Sequence, residues 1–250
     1  MSLKVCDLDF SYTSATPLLS GIDITFPSNS RSAIIGANGS GKSTLLRLLA
    51  GILKPRKGFV ELHKKNLASY KRRDLAKHIA FMKQNPEIPS GFTVEELVLC
   101  GRFPHNNSSA AHNNRIVKQA IADSGAEKIA SRRLNTLSGG ELQKAFLALA
   151  LAQEAEILLL DEPVSALDPA AEIELFSLLD RLQQQRSLTV IFVSHNLNHA
   201  LRKCDFVAGL KQGQLLFHGT PKEAEKYIPE LYELPESLFS RSDDGKLCLL

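Results

Sequence analysis

Nine consecutive residues, Gly36-Ala37-Asn38-Gly39-Ser40-Gly41-Lys42-Ser43-Thr44, fit the pattern G-x-x-x-x-G-K-[ST] of a phosphate-binding loop. The chemistry of holding a polyphosphate demands these residue types. Glycines let the backbone curl until successive N–H groups converge on one anion. A helix starting at the loop adds the positive end of its dipole. Lys42 is then placed to contact the β- and γ-phosphates, and the Ser43 hydroxyl to supply a ligand for Mg²⁺. Roughly 120 residues further on, Asp161-Glu162 ends the apolar run Ile157-Leu158-Leu159-Leu160. A carboxylate at the C-terminal end of a buried strand lies on the ligand-binding edge of an open α/β sheet. There Asp161 can hold Mg²⁺, mostly through its waters. Glu162 can orient or deprotonate an attacking water. Two acids after an apolar run are by themselves no more than a strand end; the phosphate loop upstream gives them their meaning.

A third motif, Leu137-Ser138-Gly139-Gly140-Glu141, precedes a helical stretch that runs through Ala152. Ser138 and two glycines at a helix N-terminus make a second anion site able to grip a γ-phosphate. An ordinary Ser/Gly helix cap is the plain alternative for the pentad alone. In company with the first two motifs it resembles the signature of ABC ATPases, Leu-Ser-Gly-Gly-Gln in most members, and the resemblance extends over roughly residues 3 to 220. It implies further roles, one position at a time. Tyr12 matches the aromatic residue that stacks on adenine. Gln84, after the strand Ile79–Lys83, matches a glutamine that senses Mg²⁺ and links two lobes. Ser165-Ala166-Leu167-Asp168 looks like the segment that touches an opposite protomer, and His195 like the switch histidine at the γ-phosphate. The implied cofactors are ATP and Mg²⁺, with Ser43, Gln84 and Asp161 as the metal set. Each ATP is expected between two copies: one supplies Lys42, Ser43, Asp161, Glu162 and His195, the other Ser138 and Gly140. Three positions depart from the usual pattern: Glu141 for glutamine, Lys144 where arginine is common, and Val164 where threonine or serine is frequent. None removes a group that the chemistry requires, though Glu141 bears on the geometry of the second anion site.

A finer resemblance lies between the motifs. Phe92-Thr93-Val94-Glu95-Glu96-Leu97-Val98, followed by Gly101-Arg102-Phe103-Pro104-His105, is similar to importer ATPases for iron chelates, haem and cobalamin. The Ser194–Ala200 stretch and the polar tail around Asp243-Asp244-Gly245-Lys246 also suit that group. It implies a motor subunit on the cytoplasmic face of a membrane, paired with a second ATPase subunit and a separate permease, and indirectly with a substrate-binding protein. A soluble ABC ATPase of the iron–sulphur assembly type, also one short cassette, is the alternative.

The elements that must position these residues are legible as well. Residues 2–10, 18–27, 32–35, 58–62, 79–84, 157–160, 189–194, 205–210 and 214–218 read as strands. Thr44–Leu53, 93–101, 115–125 and 139–152 read as helices, with Thr93 and Glu96 as a capping box. Pro169 opens another helix. Strand, glycine loop and helix in succession give an α/β fold of the phosphate-loop NTPase class. The resemblance makes it an ABC-type cassette with a RecA-like core, an antiparallel β subdomain and an inserted helical lobe. A single domain is expected, with core at 1–85 and 153–220, lobe at 86–152 and a C-terminal extension of short helices at 221–250.

Composition excludes several other classes. Hydrophobic residues at 44% and charged residues at 23% are ordinary for a soluble globular protein. A net charge of +3 lacks the concentrated basic footprint of a nucleic-acid binder. Cys6, Cys100, Cys204 and Cys248 show no metal-ligand spacing and read as reduced, buried thiols of the cytosol. Lys4, Asp7 and Asp9 argue against a secretory leader, and no apolar run approaches the ~20 residues that span a bilayer.

Overall fold

The computed structural model describes residues 3–13, 16–84, 86–88, 91–105, 107–164 and 167–235, with the backbone of Phe239–Arg241 and Leu247–Leu249. The chain gathers into two compact units, Met1–Tyr70 with Thr189–Leu250, and Lys71–Leu188.

In the first unit, β1 (Leu3–Phe10), β2 (Leu19–Phe26), β4 (Lys57–Leu62) and β5 (Lys65–Asn66) form an antiparallel sheet in the order β2-β1-β4-β5. Alternate residues of β1 and β2 are buried, as expected for a sheet with one face on a core. The other strands are β3 (Arg31–Ile35), β8 (Thr189–Val193), β9 (Phe206–Lys211) and β10 (Gln214–Gly219). Every residue of β3 and β8 is buried, the pattern of strands covered on both faces. β3 runs parallel to β8 and to β9, while β10 returns antiparallel to β9. Arg31 fixes the start of β3: its N–H donates to Asp205 Oδ2 at 2.8 Å and its guanidinium to the Lys203 carbonyl at 3.0 Å. The helices of this unit are α1 (Lys42–Leu49), α7 (Leu197–Lys203), α8 (Pro221–Ala224) and α9 (Ile228–Tyr232).

The second unit holds α2 (Arg72–Leu75), β6 (Ile79–Met82), α3 (Val94–Cys100), α4 (Ala110–Asp123), α5 (Gly139–Ala152), β7 (Ile157–Asp161) and α6 (Pro169–Arg186). β6 and β7 are parallel, with Met82 opposite Leu160. α3, α4 and α5 pack on one another as a helical lobe. Three strand-and-helix segments assigned by sequence to the core, β6, β7 and α6, group by contact with this lobe. One cause is Gln153, whose amide donates to the carbonyls of Ala76 and Ile79 at 2.5 and 2.7 Å and ties the end of α5 to β6.

Two helices begin earlier than periodicity suggested. α4 starts at Ala110 rather than 115, because the Ser109 hydroxyl accepts from the His112 N–H at 3.2 Å and caps a first turn that has no large apolar residue. α1 starts at Lys42, inside the phosphate loop. The tail is not helical throughout: β11 (Phe239–Arg241) and β12 (Leu247–Leu249) pair antiparallel, each only three residues long and too short for a periodicity argument. Asp243–Lys246 lie outside the described residues.

Candidate active site

The phosphate loop leaves the C-terminal end of β3 at Gly36 and turns into α1 at Lys42. Only glycine suits its two ends. Gly36 has φ +147° and Gly41 φ +100°. A Cβ at Gly36 would stand 2.1 Å from the Leu210 carbonyl oxygen, and one at Gly41 2.5 Å from Leu19 Cδ2. Lys42 is only 5% exposed, and its ammonium donates to the carbonyls of Gly36 and Ala37, both at 2.9 Å. No side chain caps α1 and no acid lies in its first turn, so the positive end of the helix faces the loop. The buried Ser40 hydroxyl has no hydrogen-bond partner among the described residues. An ammonium, an uncapped helix start and an orphaned hydroxyl around one loop fit a phosphate ligand. Ala37, Asn38 and Gly39 are exposed along the loop, and Ser43 is half-buried behind it.

Two further residues gather there. The Tyr12 ring is 58% exposed and stands edge-on to Phe10, with centroids 5.0 Å apart. Its hydroxyl lies 3.2 Å from Thr44 Oγ1, which fixes an open aromatic face beside α1. His195 leaves β8 two residues after Val193, the residue opposite Ile34 in the parallel β3–β8 pair. It is exposed, on the same strand edge as the loop. The Ser194 N–H, donating to the Ile34 carbonyl at 3.2 Å, holds the two exits together.

In the second unit the parallel pairing of β6 and β7 does the equivalent work. Gln84 and Glu162 each lie two residues beyond the Met82–Leu160 pair, and the Gln84 amide donates to the Glu162 carboxylate. Asp161, the last residue of β7, is 3% exposed. Glu162 adopts φ +50°, a left-handed backbone conformation unusual for a side-chain-bearing residue.

Ser138 is the N-cap of α5 and half of a capping box. Its hydroxyl accepts from the Glu141 N–H at 3.3 Å, while its own N–H donates to the Glu141 carboxylate at 2.8 Å. Glutamate therefore closes the box as glutamine can. The backbone N–H of Ser138 is the main cause that holds the Glu141 carboxyl below the usual carboxylate range. Arg132 pairs with it at 2.6 Å and offsets a negative charge beside an anion site. Ser138 and Gly139 are exposed, Gly140 half-buried. Lys144 forms an ion pair with Glu174 at 3.2 Å. Asp168 caps α6, accepting from the Ala171 N–H at 2.8 Å ahead of Pro169. Ser165 and Ala166, the rest of that segment's core, lie outside the described residues.

Sequence reasoning missed two contributors. Arg102, 3% exposed, donates to Asn113 Oδ1, to the Ala152 carbonyl and to Glu154, while His105 Nε2 lies 2.9 Å from the Gln153 carbonyl. The Gly101–His105 run thus clamps the end of α5. The other is Tyr232 of α9, whose hydroxyl accepts from the Gly36 N–H at 3.2 Å; no local pattern announces it.

Comparison with known proteins agrees with this geometry. The family model described as ABC transporter matches residues 19–165. The iron(3+)-hydroxamate import ATP-binding protein FhuC of Bacillus subtilis (strain 168) is 40% identical over 209 residues, covering 82% of this chain and 78% of that protein. A chain of an inward-facing ABC transporter assigned to the metal-chelate type is 29% identical with TM-score 0.82, covering 100% of this chain and 97% of that one. The dimeric structure of MJ0796, a bacterial ABC transporter cassette, is 25% identical with TM-score 0.80, covering 88% of this chain and 98% of that one. The fold is that of an ABC cassette, and the chain belongs to the ABC transporter family as one of its ATP-binding, ATP-hydrolysing subunits.

Proposed function

We propose that this chain is the motor of an importer for iron chelates of the siderophore class, working as a nucleotide-sandwich dimer on the cytoplasmic side of a separate permease. The observation that carries the reading is its 40% identity to an iron(3+)-hydroxamate import ATPase over most of both chains. The likeness to a metal-chelate type transporter over the whole chain supports the same class. Because no helix among the described residues is long and apolar enough to cross a membrane, transport needs a partner that does. A surface suited to such a partner lies on α3 and the turn after it, where Leu99 is 45% and Phe103 73% exposed. That partner would receive solute from a substrate-binding protein on the other side.

The residues divide the reaction between them. Tyr12 stacks on the base, and the loop from Gly36 to Thr44 holds the phosphates with the Lys42 ammonium among them. Mg²⁺, when bound with the nucleotide, neutralises phosphate charge; Ser43, Asp161 and Gln84 are the side chains that would hold it. Glu162 orients the attacking water in line with the γ-phosphate and takes its proton, and His195 donates to the γ-phosphate oxygens. From a second copy, Ser138 with Gly139 and Gly140 closes on the same phosphate, and Asp168 lies at the contact between copies. Glu141 carries charge there, and Arg132 is its counter-ion. Closure with ATP and release after hydrolysis make a two-state element biased by γ-phosphate contacts.

The test is disruption of the chromosomal copy in the native host, with uptake of radioactive iron supplied as a hydroxamate chelate. Loss of uptake, restored by the intact chain and not by Glu162→Gln, is the expected outcome. Unchanged uptake of every iron chelate tried, with the tagged protein recovered only from the cytosol with soluble partners, would favour the assembly-type ATPase.

A further inference from the structure

We infer that Tyr232, in the C-terminal extension, is a positioning residue of the phosphate loop. This rests on reading Gly36–Thr44 as the nucleotide site. Gly36 is buried and held from three sides. Its N–H donates to the Tyr232 hydroxyl at 3.2 Å, its carbonyl accepts from Lys42 at 2.9 Å, and its Cα faces the Leu210 carbonyl so closely that no Cβ fits. The phenol is itself fixed. Ile228 and Leu231 of α9 are 0% and 1% exposed, which anchors the helix that carries it. Lys211, next to Leu210 on β9, donates to the Glu230 carbonyl at 2.9 Å and pairs with Glu233 at 3.4 Å, which binds the end of α9 to that strand. One strand end thus touches Gly36 and holds the helix that caps it.

The arrangement bears on function because the same glycine peptide meets both Tyr232 and the lysine that must turn to the phosphates. A backbone N–H satisfied by the tail leaves the loop one orientation in which its later N–H groups converge. Without the phenol oxygen, Gly36 N–H is buried and unpaired, and the loop relaxes to recover a partner. Burial pushes the Tyr232 phenol up to about 12, so the group stays neutral throughout the working range and the bond does not titrate. The loop meets phosphate in ground state and transition state alike. Misplacing it therefore weakens binding uniformly, which raises KM and leaves kcat.

The experiment compares wild type, Tyr232→Phe and Lys42→Ala in ATPase assays and ADP binding by calorimetry. Tyr232→Phe keeps the ring and its packing and removes only the acceptor. The expected result is KM for ATP and Kd for ADP raised about three- to tenfold, with kcat within about twofold. The chain has no tryptophan, so tyrosine emission is readable. The difference between wild-type and Tyr232→Phe emission should change on ADP addition, a signature that mere packing would not give. Hydrogen exchange of the peptide containing Gly36 should quicken in Tyr232→Phe without nucleotide. Unaltered KM, Kd and exchange in a folded Tyr232→Phe protein would overturn the inference, even with a lowered melting temperature. Lys42→Ala separates the two readings: if it too binds and hydrolyses ATP normally, the site assignment fails, whereas a dead Lys42→Ala beside a normal Tyr232→Phe defeats only the role of the tail.

Discussion

Glu162 combines a left-handed backbone at φ +50° with a hydrogen bond from Gln84, directly after the buried Asp161. A side-chain-bearing residue held in that region carries strain of about 1–3 kcal/mol, tolerated where the surroundings impose it. Here the end of β7 and the Gln84 amide fix the direction of the carboxylate. Glu162→Gln is the clean test, because the new amide oxygen still accepts from Gln84 and the geometry survives. We expect kcat to fall about 10²- to 10⁴-fold with ATP binding retained, and an ATP-dependent dimer to accumulate on gel filtration. Steady-state kinetics beside nucleotide binding check this; a variant that turns over normally removes Glu162 from the chemistry. The residues proposed to touch phosphate were legible because few side chains can do that work, and their spacing follows the backbone that carries them. Tyr12 against Thr44 and Tyr232 against Gly36 were not, because each is a single hydrogen bond across 32 or 196 positions. No local pattern in the chain marks such a pair.

Three element starts share one device. Thr93 with Glu96, Ser138 with Glu141, and Thr220 with Glu223 each close a capping box on α3, α5 and α8. In every case the backbone N–H of the cap residue is the first cause that lowers the glutamate pKa. A carboxylate depressed in the folded state contributes stability that is fully present above its unfolded value, about 4.3, and is lost as pH falls through the folded value. The melting temperature should therefore drop below that pH, and more gently in the triple variant Glu96→Gln, Glu141→Gln, Glu223→Gln, whose amides cap without titrating. Calorimetric scans across acid pH check it, and identical pH profiles would refute it. Arg102 supports a second element-scale prediction. Arg102→Met strips partners from the Ala152 carbonyl and Glu154 at the end of α5 and from Asn113 on α4, at a cost of about 2–4 kcal/mol in denaturant unfolding. Arg102→Lys should not restore it, since one ammonium cannot reproduce the guanidinium fork; full rescue by lysine would argue for charge alone. The Thr93 box was readable from its spacing, while Ser138 with Glu141 hid inside a motif read for anion binding. Gly101–His105 was legible as a family mark, not as a clamp, since its partners lie some fifty residues away.

At the scale of the molecule, the proposed importer reading requires that work done by ATP leave through a surface that meets the permease. Arg102 and His105 face inward on the end of α5, and the same turn sends Phe103 outward to 73% exposure. An exposed aromatic on a turn bonded to the end of α5 is a candidate contact for a partner. Cys100 reports on it without new chemistry. Contrary to the expectation of buried thiols, it is exposed and borders the same groove as Phe92, Leu99 and Phe103, whereas burial pushes the Cys204 thiol far up and leaves it inert. With Cys6, Cys204 and Cys248 replaced by serine or alanine, maleimide should label Cys100 quickly in the isolated protein. Labelling should slow several-fold when the protein is purified with the proposed membrane partner in mild detergent, and recover when detergent strips that partner away. Phe103→Asp should preserve ATPase activity in the isolated chain while abolishing co-purification, which separates the docking surface from the motor. Equal labelling of Cys100 in both states, together with co-purification that survives Phe103→Asp, would place the coupling surface elsewhere. Fast labelling in the free protein and protection in the assembly would mean that force from the nucleotide passes through the turn that also holds the signature helix, and so why the clamp is built from a buried arginine rather than from apolar packing.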